Sequence, residues 1–157
     1  MTNILHLNNY IGEKFLKFEE RTFKTELLEF KVDDNKYSIA IICLEWKRTS
    51  SLLERLSKLN ISSKSFDLYI WNNDYQNKDY IIDLLENNTF NFNIFLSNSY
   101  HNYKGIARFI LANLIFENRD YKYFIFLDDD VKLQKNDINT IITEALNNNN
   151  TAISVHA

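Results

Sequence analysis

The sequence predicts an α/β sandwich with a mainly parallel sheet. Short continuous apolar runs read as strands covered on both faces, helical stripes lie between them, and polar clusters sit just after the runs. Ser38-Ile39-Ala40-Ile41-Ile42-Cys43-Leu44 is the first run. Ser51-Leu52-Leu53-Glu54 then has capping-box spacing, and Leu52, Leu53, Leu56 and Leu59 form an apolar stripe, which predicts a helix. The alternation continues with a strand over 67–71, a helix over 79–86, a strand over 92–96 and a helix over 104–117. A strand over 123–127, a helix over 137–146 and a fifth strand over 151–155 complete the pattern. Strands separated by helices require right-handed crossovers, and these bring the carboxyl ends of the strands to one edge of the sheet.

With 157 residues and 45% hydrophobic content, the chain can bury one ordinary core. Residues 1–36 read as a charged lead-in with an amphipathic stretch over 13–30, and residues 37–157 as the domain. The asparagine run 147–150 reads as a solvated connection. The chain stops directly after its last expected strand, an abrupt ending for a doubly wound sheet, so truncation on the C-terminal side is expected.

A net charge of -3 and a pI of 5.6 supply no overall basic field, which argues against nucleic acid as a partner. Cys43 is the only cysteine, which excludes an internal disulfide and any Cys/His zinc spacing, and it reads as a small buried hydrophobe. No apolar stretch in the chain reaches the roughly 20 residues of a membrane span, and the N-terminus lacks a signal peptide's apolar region. The expectation is a cytoplasmic or otherwise soluble protein, with no signal or membrane segment in this chain.

Open parallel sheets bind ligands beyond the carboxyl ends of their strands. Three such ends carry candidates: Glu45-Trp46-Lys47-Arg48, Asn72-Asn73-Asp74 and Asp128-Asp129-Asp130. The aspartate triplet is the strongest. Three adjacent carboxylates at a partly dry strand end repel one another unless a cation, hydrogen bonds or protonation relieves the charge. A divalent metal is the simplest remedy, and hard oxygen ligands suit Mg2+ or Mn2+, with phosphate oxygens and water completing the shell. An acidic surface turn is the competing reading, but the next helical pattern begins only near Asn136-Asp137, so capping does not require three aspartates.

The order from Tyr37 to Val131 resembles family 2 and related GT-A glycosyltransferases. The shared features are an opening apolar strand, a basic helix entry, a polar end to the second strand, a Gly-x-x-Arg helix opening (Gly105-Ile106-Ala107-Arg108) and a DxD-type triplet. The resemblance covers roughly three-fifths of the chain. It implies a Rossmann-like GT-A α/β/α sandwich and transfer of a glycosyl group from a nucleotide diphosphate sugar, UDP-sugar favoured, to an unidentified acceptor hydroxyl. By the same resemblance Asp130 is the metal ligand, with Asp128 as a second candidate. Asp128 and Asp129 would contact ribose, sugar hydroxyls or metal-bound water.

Family members place an acidic residue after the second strand to accept the uracil N–H. Here Asn72 or Asn73 stands at that place with Asp74 just beyond, and an Asn oxygen can accept the same bond without charge assistance. Asn-Asn-Asp also reads as an ordinary turn. Gly105 would allow close backbone approach, and Arg108 would lie beside the base or diphosphate, unless it is simply a surface residue. Glu45, Lys47 and Arg48 are further donor-site candidates. The two cations sit at a helix N-terminus, where the dipole disfavours them unless a phosphate is bound. Trp46 and Trp71 could each stack on a base or belong to the packing.

In the family the acceptor pocket and an inverting enzyme's base come from chain beyond the DxD motif, and only 27 residues follow Asp130 here, so no catalytic base is assigned. Two other readings stand beside this one. A metal-dependent nucleotidyl- or phosphotransferase calls for a Gly-rich loop after the first strand, which Glu45-Trp46-Lys47-Arg48 lacks. A non-catalytic nucleotide-sugar-binding or assembly module would bind the nucleotide without turnover.

Overall fold

A computed structural model describes residues 10–18, 21–60, 66–134 and 136–148. The elements run β1 (Tyr10–Phe18), β2 (Arg21–Phe30), β3 (Ile39–Glu45), α1 (Leu52–Leu59), β4 (Asp67–Asn72), α2 (Lys78–Glu86), β5 (Ile94–Ser99), α3 (Ala107–Asn118), β6 (Tyr123–Leu127) and α4 (Asp137–Asn147). Short 3₁₀ turns at Thr49–Ser51, Tyr75–Asn77 and Lys104–Ile106 lead into α1, α2 and α3. One sheet has the order β1-β2-β5-β4-β3-β6. The pairs β5–β4, β4–β3 and β3–β6 are parallel, whereas β2 is antiparallel to both β1 and β5.

β3, inside the sheet, is a continuous apolar run because helices cover both of its faces, whereas the edge strand β6 leaves Phe126 37% exposed. On one face Ile39, Ile41, Cys43, Leu68, Ile70 and Leu96 pack with Leu52 and Leu56 of α1, Ile81 and Leu85 of α2, and Ile138 of α4. On the other, Ala40, Ile42, Leu44, Tyr69 and Trp71 pack against Ala107, Ile110 and Leu111 of α3. The α/β architecture and mainly parallel sheet follow the sequence reading. No helix among the described residues is long and apolar enough to cross a membrane.

Four expectations are revised or fall outside the described residues. The charged lead-in supplies β1 and β2, which extend the sheet antiparallel beyond β5. The strand expected over 92–96 runs Ile94–Ser99, because pairing with β2 buries the polar tail Ser97-Asn98-Ser99 through Leu27↔Ser97, Glu26↔Asn98 and Thr25↔Ser99. The capping box at Ser51 does not form. The preceding 3₁₀ turn holds Ser51 at φ -95, ψ 1 rather than in the extended conformation a cap requires, and Glu54 pairs with Lys58 at 2.7 Å. The fifth strand expected over 151–155 lies outside the described residues.

Candidate functional site

Strand order fixes where a site can form. The chain adds β4 and then β5 on one side of β3, and later places β6 on the other, so the winding direction reverses between β3 and β6. At such a reversal the connections leave in opposite directions and open a crevice beyond the strand ends. Glu45 ends β3, and the triplet Asp128-Asp129-Asp130 directly follows β6 in parallel register, Cys43 opposite Leu127. Glu45, Asn72 and the triplet therefore share one edge, as the sequence predicts.

The turn that follows β6, closed by the Val131 N–H donating to the Asp128 carbonyl at 3.1 Å, separates the three aspartates. Asp128 turns to the α3 face, where Arg108 Nη2 lies 2.8 Å from its Oδ1 in ion-pair rather than hydrogen-bond geometry. Asp129 is held twice: its Oδ2 accepts the Lys47 backbone N–H at 3.2 Å, and its carbonyl accepts from Arg55 Nη1 at 2.8 Å. Asp130 reaches outward to Arg48 Nη1 at 3.3 Å, both side chains being more than half exposed. Two of the three carboxylates are thus met by cations of the chain itself, and the third by a backbone N–H. An open groove of about 880 Å³ adjoins the triplet, lined by Arg48, Ser51, Arg55, Asp129, Asp130 and Lys132 among others.

Glu45 is fully buried and forms an ion pair with Arg55, whose side chain is 5% exposed. Burial pushes the Glu45 carboxyl up to about 7; Arg55 opposes this shift and the charge of Asp129 adds to it. A side chain so enclosed cannot contact a donor, so Glu45 leaves the set of binding candidates and becomes part of the support beneath the site. Arg55 was not a sequence candidate. The signal was present: with Leu52, Leu56 and Leu59 it occupies the core-facing stripe of α1, and a charge in such a stripe requires a buried partner.

The Asn72-Asn73-Asp74 expectation changes most. Asn72 is buried, donates Nδ2–H to Asn98 Oδ1 at 2.9 Å and accepts the Asp74 N–H at 2.9 Å. Asn73 Oδ1 accepts from Trp71 Nε1 and from the Tyr103 backbone N–H, both at 3.0 Å, and its Nδ2 donates to the Lys104 carbonyl at 3.1 Å. Both lone pairs of Asn73 Oδ1 are engaged, and Asn72 is enclosed, so neither is available to accept a base N–H. Asp74 caps the 3₁₀ turn that follows, accepting from Gln76 N at 3.2 Å and from Asn77 Nδ2 at 3.0 Å. This is the turn reading of the same residues. Trp71 is fully buried against α3 and cannot stack on a ligand, whereas Trp46 is 41% exposed with Lys47 Nζ 4.4 Å from its ring centroid.

Gly105 has a local function. A Cβ there would lie 3.1 Å from Arg108 Nη2, and Arg108 Nε donates to the Gly105 carbonyl at 3.0 Å. The missing side chain lets Arg108 fold back over the helix entrance toward Asp128. The edge thus brings together Lys47, Arg48, Gly105, Arg108 and the triplet.

For a metal, Asp128 and Asp130 are the carboxylates left after Asp129 is committed to Lys47. Among the described residues no group of three or more His, Cys, Asp or Glu converges on one point. One or two accessible carboxylates suit an ion such as Mg2+ that keeps water and substrate phosphate in its shell. Comparison with protein-family models, with curated proteins and with solved structures found no match to this chain.

Proposed function

We propose that this edge is the donor site of a GT-A type glycosyltransferase that takes a nucleotide diphosphate sugar, UDP-sugar favoured, and passes the glycosyl group to an acceptor hydroxyl. The observation that carries the reading is the acidic triplet and its three arginine or lysine neighbours, Lys47, Arg48 and Arg108, flanking the point where the sheet reverses its winding direction. Crevices of this kind accept nucleotides in open α/β sheets.

The charges suggest an exchange of partners. Without a donor, Arg48 and Arg108 neutralise Asp130 and Asp128. With a diphosphate present, both guanidinium groups can grip phosphate oxygens, and the carboxylates become free as hard oxygen ligands. A bound Mn2+ or Mg2+ would supply stabilisation of the negative charge that develops on the leaving diphosphate. Asp130, the more exposed carboxylate, is the proposed principal ligand and Asp128 the second. Exposed Trp46 at the end of β3 offers a face for a base.

Calorimetric titration of UDP with and without Mn2+ tests the reading. The expected result is cooperative binding, with UDP tighter when Mn2+ is present. A thermal-shift panel gives a second readout, since a ligand at 100 times its Kd stabilises the native state by about 2.7 kcal/mol. No metal or nucleotide response across several bases would overturn the donor site. Metal-dependent UDP binding together with no hydrolysis or transfer from any UDP-sugar would instead favour a binding module.

A further inference from the structure

Arg55 joins three separate pieces of chain through one buried guanidinium. Its Nη1 donates to Ser51 Oγ at 2.6 Å and to the Asp129 carbonyl at 2.8 Å, and its Nη2 pairs with Glu45 at the end of β3. Ser51 Oγ in turn donates to the Arg48 carbonyl at 2.8 Å, so the contact reaches the backbone of Arg48, whose own side chain meets Asp130. Asp129 is thereby fixed by main chain through Arg55 and by side chain through the Lys47 N–H. Its neighbours Asp128 and Asp130 diverge from this anchored residue toward opposite cations.

A buried ion pair is a weak source of stability, because desolvation of both charges offsets most of their attraction. Apolar residues would fill the space between α1 and the sheet at least as well. What an apolar residue cannot do is hold the Asp129 carbonyl, and what a lysine cannot do is serve Ser51, Glu45 and Asp129 from one planar fork. We infer that Arg55 is a positioning residue for the acidic triplet, holding the Asp129 backbone that sets the directions in which Asp128 and Asp130 leave it, toward Arg108 and Arg48 now and toward a divalent cation and a diphosphate when these bind. This rests on the donor-site reading for its ligand, but the anchoring itself is independent of that reading.

The test compares wild type, Arg55→Met, Arg55→Lys and Leu59→Val. Leu59 lies on the same helix, fully buried in the apolar core and outside the lining of the groove beside the triplet, and its substitution controls for loss of stability alone. Calorimetry measures the gain in UDP affinity on adding Mn2+. Arg55→Met and Arg55→Lys should each reduce that gain by about tenfold while changing metal-free UDP affinity less than about twofold, and Leu59→Val should keep the wild-type gain. The second readout needs no ligand. Exchange of the Val131 amide, which donates to the Asp128 carbonyl at 3.1 Å, should quicken by about tenfold in the Arg55 variants and not in Leu59→Val.

If Arg55→Met does not fold, Arg55→Lys carries both readouts. A wild-type gain retained in the Arg55 variants, or lost equally in Leu59→Val, overturns the inference and leaves the donor site standing. No gain in wild type removes the donor site, and the exchange readout then decides the anchoring alone.

Discussion

Arg108 folds back over Gly105, its Nε donating to the Gly105 carbonyl at 3.0 Å and its Nη2 reaching Asp128 at 2.8 Å. The arrangement depends on an absent side chain, since a Cβ at Gly105 would lie 3.1 Å from Nη2 and 3.9 Å from Cζ. The crowded atom is the far end of a flexible side chain, so Gly105→Ala should leave the fold intact, with stability changed by less than about 1 kcal/mol. It should displace Arg108 and weaken UDP binding in the same direction as Arg108→Ala. Thermal melts with UDP titrations check both halves, and UDP affinity unchanged in Gly105→Ala would separate the glycine from the site.

Asp130 is the substitution expected to damage metal-assisted binding most. Its side chain is 62% exposed and its partner Arg48 57% exposed. Solvent screens such a pair, so Asp130→Ala should alter stability by no more than about 1 kcal/mol. The cooperativity between Mn2+ and UDP should nevertheless be largely lost, and Asp130→Asn, which keeps size and removes charge, should also be impaired. Titration of both variants gives the result directly. Wild-type Mn2+ dependence in folded Asp130→Ala would move the principal ligand to Asp128.

Glu45 gives the protein a defined pH response. Its carboxyl is raised from 4.5 to about 7, chiefly by burial. A raised carboxyl binds its proton more tightly in the folded chain than in the unfolded chain. The stabilising contribution is therefore complete below about 4.5 and is lost as pH rises through about 7. Denaturant melts between pH 5 and 8 should show this component of stability declining with pH. Glu45→Gln cannot titrate and should flatten that component. An unaltered pH profile in the variant would mean that another group is responsible.

Asn73 should prove structural. Replacing it with Ala would strand Trp71 Nε1, the Tyr103 N–H and the Lys104 carbonyl, the partners through which it ties the start of the α3 entrance to the end of β4. Of these only Trp71 Nε1 is fully buried, and the other two groups can turn to water, so a loss of about 1–2 kcal/mol is expected. Chemical denaturation measures it. A stable Asn73→Ala protein with selectively altered base preference would restore Asn73 as a nucleotide contact.

The parts of this protein legible in its sequence are those set by local periodicity. The runs around Ile41, Ile70 and Ile125 announce strands, and the helices between them dictate parallel pairing, which alone brings Glu45, Asn72 and Asp128 to one edge. The hairpin β1–β2 was not legible as part of the sheet, because its charged, amphipathic pattern becomes strand through pairing with β5, a contact between residues about 70 apart such as Glu26 and Asn98. The role of each polar residue at the edge was likewise decided only in three dimensions. Sheet register sends Asn72 toward Asn98, closes Asn73 under Tyr103, buries Trp71 beneath α3 and encloses Glu45 with Arg55. A linear sequence states which donors and acceptors lie near a strand end. Whether they face a ligand or one another depends on which neighbouring strands and helices bury them, and that follows from tertiary packing.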